Sequence, residues 1–199
     1  MTDAVIIDSG GANLASLQFA LERLGADARV TSHPEEIRDA RRVLLPGVGS
    51  AADAMQRLRA AKLTELLPSL QQPVLGICLG MQLLFAHSDE GATACLGIFS
   101  DDVRRLMPAR GRPVPHMGWN QLEALRPDTL IEGLEPTDYV YFIHSYAAPI
   151  GAATVASVEY GARLSAVVRE RNFWGVQFHP ERSGRAGARV LQNFLSAAE

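Results

Sequence analysis

Pro73-Val74-Leu75-Gly76-Ile77-Cys78-Leu79-Gly80-Met81-Gln82-Leu83-Leu84 is the stretch on which the reading of this chain turns. Pro73 to Ile77 is a short apolar run of the kind that forms a strand buried on both faces, and Leu79 to His87 predicts a helix behind it. The cysteine between them is bracketed by Gly76 and Gly80, which is the cysteine form of the glycine-x-nucleophile-x-glycine elbow. A nucleophile on such a turn is held at a strained backbone angle, and its flanks must lack side chains so that strand and helix can approach closely. The helix N-terminus favours a thiolate, and the Leu79 N–H points toward any oxyanion formed at the carbon that Cys78 attacks. A cysteine in an apolar strand is more often packing than chemistry. The glycine bracket reverses that for Cys78, whereas Cys95 has no bracket and reads as packing.

The same design stands twice upstream. Ala4 to Asp8 is a short apolar run followed by Ser9-Gly10-Gly11-Ala12-Asn13, and a helix with leucines at 14, 17, 21 and 24 then stops at Gly25. Arg42 to Leu45 is followed by Pro46-Gly47-Val48-Gly49, then by a helix capped by Ser50 or Asp53 and reaching about Leu67. Strands alternating with helices predict an α/β fold, an open, mostly parallel sheet with helices on both faces. After about Gly97 the pattern becomes β-rich and partly antiparallel, with strand-like segments near 97–105, 117–124, 138–143, 153–160, 163–169 and 173–178. A last helix from about Gly184 to Ala198 carries Val190, Leu191, Phe194 and Leu195 as an apolar stripe. No repeat or linker interrupts residues 1–199, so one domain is expected.

At 199 residues and 47% hydrophobic content the chain is long enough to bury a large core. Its net charge of −3 offers no basic surplus to neutralise a phosphate backbone or an anionic membrane, so no nucleic-acid or membrane partner is expected. The first residues lack a signal-peptide pattern and no apolar run approaches the roughly 18 residues of a membrane span, which makes a cytoplasmic location the simplest expectation. Neither cysteine sits in a metal-ligand spacing, so neither a disulfide framework nor a metal site is indicated, and no cofactor is expected.

A cysteine nucleophile for acyl transfer needs a base and a group to orient it. Val176-Gln177-Phe178-His179-Pro180-Glu181 ends a strand-like run, and on extended backbone residues two apart share a side, so Glu181 can hold one imidazole nitrogen while the other faces the thiol. Pro180 biases His179 toward extended geometry. His144 and His116 are rivals but have no carboxylate two residues away, and His33 and His87 read as surface or capping residues. The Pro46-Gly47-Val48-Gly49-Ser50 turn should open at the same sheet edge as the elbow, making Val48 or Gly49 the second donor of an oxyanion hole beside Leu79. Ser9 to Asn13 lacks the spacing of a phosphate or dinucleotide loop and is assigned no nucleotide.

Taken together, Gly76 to Phe85 and Gly175 to Glu181 resemble the signatures of the class I glutamine amidotransferases over nearly the whole chain. Pro115-His116-Met117-Gly118-Trp119-Asn120 and Tyr141-Phe142-Ile143-His144-Ser145-Tyr146 are similar to the members that supply ammonia to imidazole glycerol phosphate synthase in histidine biosynthesis. Met81 supports that narrowing, because the anthranilate, aminodeoxychorismate and guanylate relatives usually carry histidine there. The resemblance implies a flavodoxin-like fold and hydrolysis of glutamine to glutamate and ammonia through a thioester on Cys78. It implies that glutamine is held by Gly47 to Gly49, Gln82, Ser145 and Tyr146. It further implies a heterodimer with a separate (β/α)8-barrel cyclase, and places Asn13, Trp119, Asn120, Tyr141 and Arg182 near the interface or the ammonia exit. Ser9, Ala12 and Arg182 depart from the Tyr, Gly and Lys more common in that group. Another class I glutaminase, a γ-glutamyl hydrolase or a non-catalytic binding module are the alternatives.

Overall fold

The computed structural model describes residues 2–9, 14–124 and 126–197. The first half alternates as β1 (Ala4–Ile7), α1 (Leu14–Arg23), β2 (Ala28–Thr31), α2 (Pro34–Arg38), β3 (Val43–Gly47), α3 (Ala51–Ala60), α4 (Leu63–Ser69), β4 (Val74–Cys78) and α5 (Leu79–Leu83). Then follow β5 (Phe85–Ser88), β6 (Thr93–Ala94), β7 (Phe99–Arg105), β8 (His116–Gln121), β9 (Glu123–Ala124), β10 (Tyr139–His144) and β11 (Tyr146–Ala147). β12 (Thr154–Glu159), β13 (Arg163–Glu170), β14 (Phe173–Val176) and α6 (Gly184–Ser196) close the chain.

The main sheet is eight-stranded in the order β2-β1-β3-β4-β14-β13-β12-β9. Its β2 to β14 side is parallel and the rest antiparallel. The alternation of each strand sorts the core into two layers. Ala4, Ile6, Leu75, Ile77, Trp174 and Val176 pack with Leu17 and Leu21 of α1 and Val190, Leu191 and Phe194 of α6. Val5, Ile7, Val43, Leu45, Val74 and Phe173 pack with Leu58, Leu67, Leu79 and Met81 on the other face. The expected α/β architecture is therefore present, with helices on both faces. Of the β-rich second half, β9, β12, β13 and β14 complete the main sheet, and the other strands form, with β5 and β6, two smaller sheets, β10-β8 and β11-β7-β5-β6. Among the described residues no helix is long and apolar enough to cross a membrane.

Two helices differ from expectation. The helix expected to run from Ser50 or Asp53 to Leu67 is capped as foreseen, Ser50 accepting a bond from the Asp53 N–H, but breaks at Lys62, whose φ is 59°. The core face runs Ala51, Ala54, Met55, Leu58 and then Leu63, Leu66, Leu67. An unbroken helix would point Lys62 inward and Leu63 away; the left-handed residue resets the phase. The helix expected from Leu79 to His87 ends at Leu83, and Phe85 enters β5. Phe85 pairs with Phe99 in the β5-β7 ladder and their rings pack at 5.1 Å, so strand pairing rather than helix takes the chain from Leu84 onward. The edge strand β2 was not foreseen, because its buried-exposed pattern carries little apolar signal.

Candidate active site

β1, β3, β4 and β14 run parallel, so their C-terminal ends open on one edge of the sheet. The order reverses between β1 and β3, the place where open α/β sheets bind ligands. Cys78 ends β4 there with φ 54° and ψ −112°, a conformation that only a constrained turn sustains. The constraint comes from the glycines. A Cβ on Gly76 would lie 2.8 Å from the Gly80 carbonyl oxygen, and one on Gly80 would overlap the Leu45 carbonyl. Gly47 pairs with Cys78 in the sheet, and its Cβ would lie 2.8 Å from the Gly80 nitrogen. Gly80→Ala therefore has to push α5 off β3: a stability loss at the upper end of overpacking, about 3 kcal/mol, is expected in chemical denaturation. Gly97→Ala, at a positive φ but with open space, should lose only about 1 kcal/mol.

His179 is buried, and its Nδ1 lies 2.8 Å from Oε1 of Glu181. The pair forms as expected but by another route. β14 ends at Val176, and Pro180–Arg182 is a single 3-10 turn, so Glu181 reaches the ring from a turn rather than along extended backbone. Burial acts to lower the His179 pKa, but hydrogen bonds and charge from Cys78 and Glu181 outweigh it and raise the pKa to about 10. The imidazole is thus a protonated group held between the sulfur and the carboxylate.

Ser183 fixes the backbone of that histidine. Its hydroxyl donates to the His179 carbonyl at 2.7 Å and accepts from the Tyr141 N–H at 2.9 Å, while the His179 N–H donates to the Tyr141 carbonyl at 2.9 Å. Sequence reasoning missed this residue because a serine ahead of a helix reads as a cap; here it makes no cap bond to α6.

Cys78, His179, Val48, Gly49, Leu79, Gln82, Ser145, Tyr146 and Arg182 all line one open cavity of about 540 Å³. Leu79 opens α5, where the first N–H groups of a helix lack intrahelical partners and are free to meet an anion. Gly47 is buried beneath α5 and is not among the lining residues, so its part is spacing. Glu90 also lines the cavity, as its one carboxylate among the described residues, and accepts a bond from the Ala51 N–H at 2.8 Å. A glutamate in a turn gives no sequence signal for this. Gln82 donates to the Tyr146 carbonyl at 2.9 Å and to Gln177 Oε1 at 2.9 Å, and Gln177 Nε2 stands 3.8 Å from Cys78 Sγ.

The rival histidines pair with each other, not with Cys78: His116 Nδ1 lies 3.0 Å from His144 Nε2. Cys95 packs against the core, and burial raises its thiol pKa to about 11 despite the lowering charge of Arg59, which makes it a poor nucleophile.

Tyr141 and Trp119, which do not line the cavity, cluster with Arg182, which does. Trp119 meets the Tyr141 ring edge-on at 5.7 Å, and the Arg182 guanidinium lies 5.3 Å from the same ring. Asn120 points to the opposite face of β8, where its amide donates to the Glu159 carbonyl, so it does not share that surface. Asn13 lies outside the described residues. Ser9, one of the departures noted in the sequence, donates to the Pro46 carbonyl at 2.8 Å and so ties the end of β1 to β3.

Comparison with known proteins agrees with this geometry. Residues 5–198 match the family described as glutamine amidotransferase class-I. The imidazole glycerol phosphate synthase subunit HisH of Xanthomonas axonopodis pv. citri (strain 306) is 54% identical over 98% of both chains. That of Xylella fastidiosa (strain Temecula1 / ATCC 700964) is 50% identical over the same shares. Among solved structures, a glutamine amidotransferase superposes with a TM-score of 0.75 at 22% identity, covering 97% of each chain. PurLQS from Thermotoga maritima does so with 0.73 at 21%, again over 97% of each, and these two support the fold alone. The chain belongs to the class I glutamine amidotransferases and, within them, to the HisH subunits of imidazole glycerol phosphate synthase, the glutaminases of histidine biosynthesis.

Proposed function

We propose that Cys78, His179 and Glu181 hydrolyse glutamine in this cavity and that the ammonia passes to a (β/α)8-barrel cyclase bound as a heterodimer. The observation that carries the reading is the strained Cys78 elbow opening on the same cavity as a histidine oriented by a carboxylate at 2.8 Å. Cys78 sulfur attacks the side-chain amide carbon of glutamine, and the oxygen charge is met by the Leu79 N–H and by Val48 or Gly49. His179, carrying the proton, protonates the departing nitrogen, which leaves as ammonia. Water, its proton taken by His179, then cleaves the thioester and releases glutamate. Gln82 and the Ser145-Tyr146 wall hold the substrate, and Glu90 faces its α-ammonium group.

Support for the partner comes from the outer face of β8 and β10. Trp119 pairs with Tyr141 and Met117 with Ile143 in the antiparallel register. Met117, Trp119 and Tyr139 are each more than half exposed, at 58%, 55% and 51%. Large aromatic and apolar side chains gathered on one face fit the centre of a protein interface. Ile143 also lines the cavity, so the surface is continuous with the nucleophile. Ammonia leaving Cys78 on that side enters the partner rather than solvent.

The test is glutamate release by the purified chain, alone and with the barrel cyclase and its nucleotide substrate. Faster hydrolysis in the complex is expected, since an active-site loop such as the Val48 turn can be closed by docking. Trp119→Ala should weaken complex formation on the order of tenfold or more. Equal rates in both conditions, with Trp119→Ala binding the cyclase normally, would remove the partner from this reading.

A further inference from the structure

A buried polar chain runs from His116, behind the cavity, through His144 in its wall, and the hydrolytic steps use neither histidine. His116 Nδ1 meets His144 Nε2 at 3.0 Å, and His144 Nδ1 meets the Tyr146 carbonyl at 2.8 Å. That same carbonyl accepts from Gln82 Nε2 at 2.9 Å. The His116 ring stacks on Tyr160 and Phe142, with centroids 3.9 and 4.8 Å away, and the two histidines are 3% and 6% exposed.

The protons in this chain follow from its end. A carbonyl only accepts, so His144 must carry hydrogen on Nδ1, and its Nε2, when the ring is neutral, is a bare acceptor. His116 must then donate from Nδ1. Burial pushes both rings down to about 4, so both are neutral at neutral pH. Without His116, the Nε2 of His144 would be a buried acceptor lacking its donor, and the other tautomer, which cannot donate to Tyr146, would gain. Two donors saturate the two lone pairs of the Tyr146 oxygen, while the Ser145 carbonyl accepts from the Leu106 N–H at 2.9 Å. Both carbonyls of the Ser145-Tyr146 segment are thereby pinned.

We propose that His116 and His144 are positioning residues for glutamine: His116 selects the tautomer of His144 that, with Gln82, locks the Tyr146 carbonyl and so shapes the wall that binds the substrate. The proposal rests on the assignment of this cavity to glutamine. Because His116 stands on β8, next to Met117, the lock also joins the aromatic face to the pocket.

The test uses the chain in complex with its cyclase partner, with glutamine as substrate. His144→Phe and His116→Phe, which keep ring packing but lose the bonds, should raise KM for glutamine roughly tenfold, the worth of about one hydrogen bond, with kcat within about threefold. His144→Asn, whose amide nitrogen can stand near the Nδ1 position, should recover most of the loss. Nitrogen NMR of labelled histidine should show His144 protonated on Nδ1 in the wild type and a mixture of tautomers in His116→Phe, a readout that holds even where His144→Phe does not fold. Unchanged KM in folded variants, equal losses in KM and kcat, or His144→Asn as impaired as His144→Phe would overturn it. A wild-type complex that fails to hydrolyse glutamine would overturn the underlying assignment instead.

Discussion

Cys78→Ala abolishes glutamate release, with a rate loss on the order of 10⁴-fold or more, and leaves the fold intact. The reasoning begins with the backbone. Alanine and cysteine meet the same strain at φ 54°, so the substitution neither relieves nor adds to the cost of the elbow, which Gly76, Gly47 and Gly80 hold in place. What is lost in packing is one buried sulfur, for which about 1 kcal/mol is a fair figure. What is lost in chemistry is the covalent path itself, since no thioester forms without the thiol and direct attack by water must take over. Measured together, glutamate release, thermal unfolding and cyclase binding separate these effects. A variant that unfolds normally, binds its partner and still hydrolyses glutamine at the wild-type rate would remove Cys78 from the mechanism.

The parts of this site that were legible in the sequence are those encoded locally. The elbow is read from two glycines flanking a cysteine at the end of a buried run, and the structure supplies the reason: Gly80 lies against the Leu45 carbonyl, so any side chain there would collide with β3. His179 and Glu181 are two residues apart and therefore neighbours in extended backbone or in a tight turn, which is why the pair was foreseen even though the turn was not. Three parallel strands were legible for a similar reason, each being a short apolar run between turn signals.

What was illegible depends on register between distant strands. His116 faces His144 because β8 and β10 pair antiparallel with those residues aligned, and nothing in either segment alone announces it. The separation of Asn120 from Trp119 follows from alternation on β8, which is visible only once that segment is known to be a strand. Glu90 reaches the cavity by capping the start of α3, a contact between segments far apart in sequence. The early ends of α3 and α5 share one cause. Tertiary structure overrides local propensity in both, at Lys62 by resetting the phase of the buried face and after Leu83 by drawing Phe85 into the β5-β7 ladder.

His179→Ala should cost nearly as much as loss of the nucleophile, on the order of 10⁴-fold in kcat, whereas Glu181→Gln should cost on the order of 10²- to 10³-fold. The difference follows from their positions. In the proposed mechanism His179 both faces the sulfur and hands its proton to the departing nitrogen, whereas Glu181 acts through His179, fixing its Nδ1 at 2.8 Å and stabilising its charge. The same geometry sets a pH dependence. With burial opposing and Cys78 and Glu181 prevailing, the folded pKa of about 10 lies above the unfolded value of about 6.5. The proton-linked stabilisation is thus fully present below about pH 6.5 and is lost as pH rises through about 10. Proton NMR of the His179 ring should therefore show imidazolium throughout neutral pH. Its midpoint should fall in Glu181→Gln and in Cys78→Ala alike, because each removes one of the two groups that raise it. A wild-type midpoint near 6.5, unmoved by either substitution, would mean that Cys78 and Glu181 do not raise it, and the protonated imidazole would have to be abandoned as the resting state of His179.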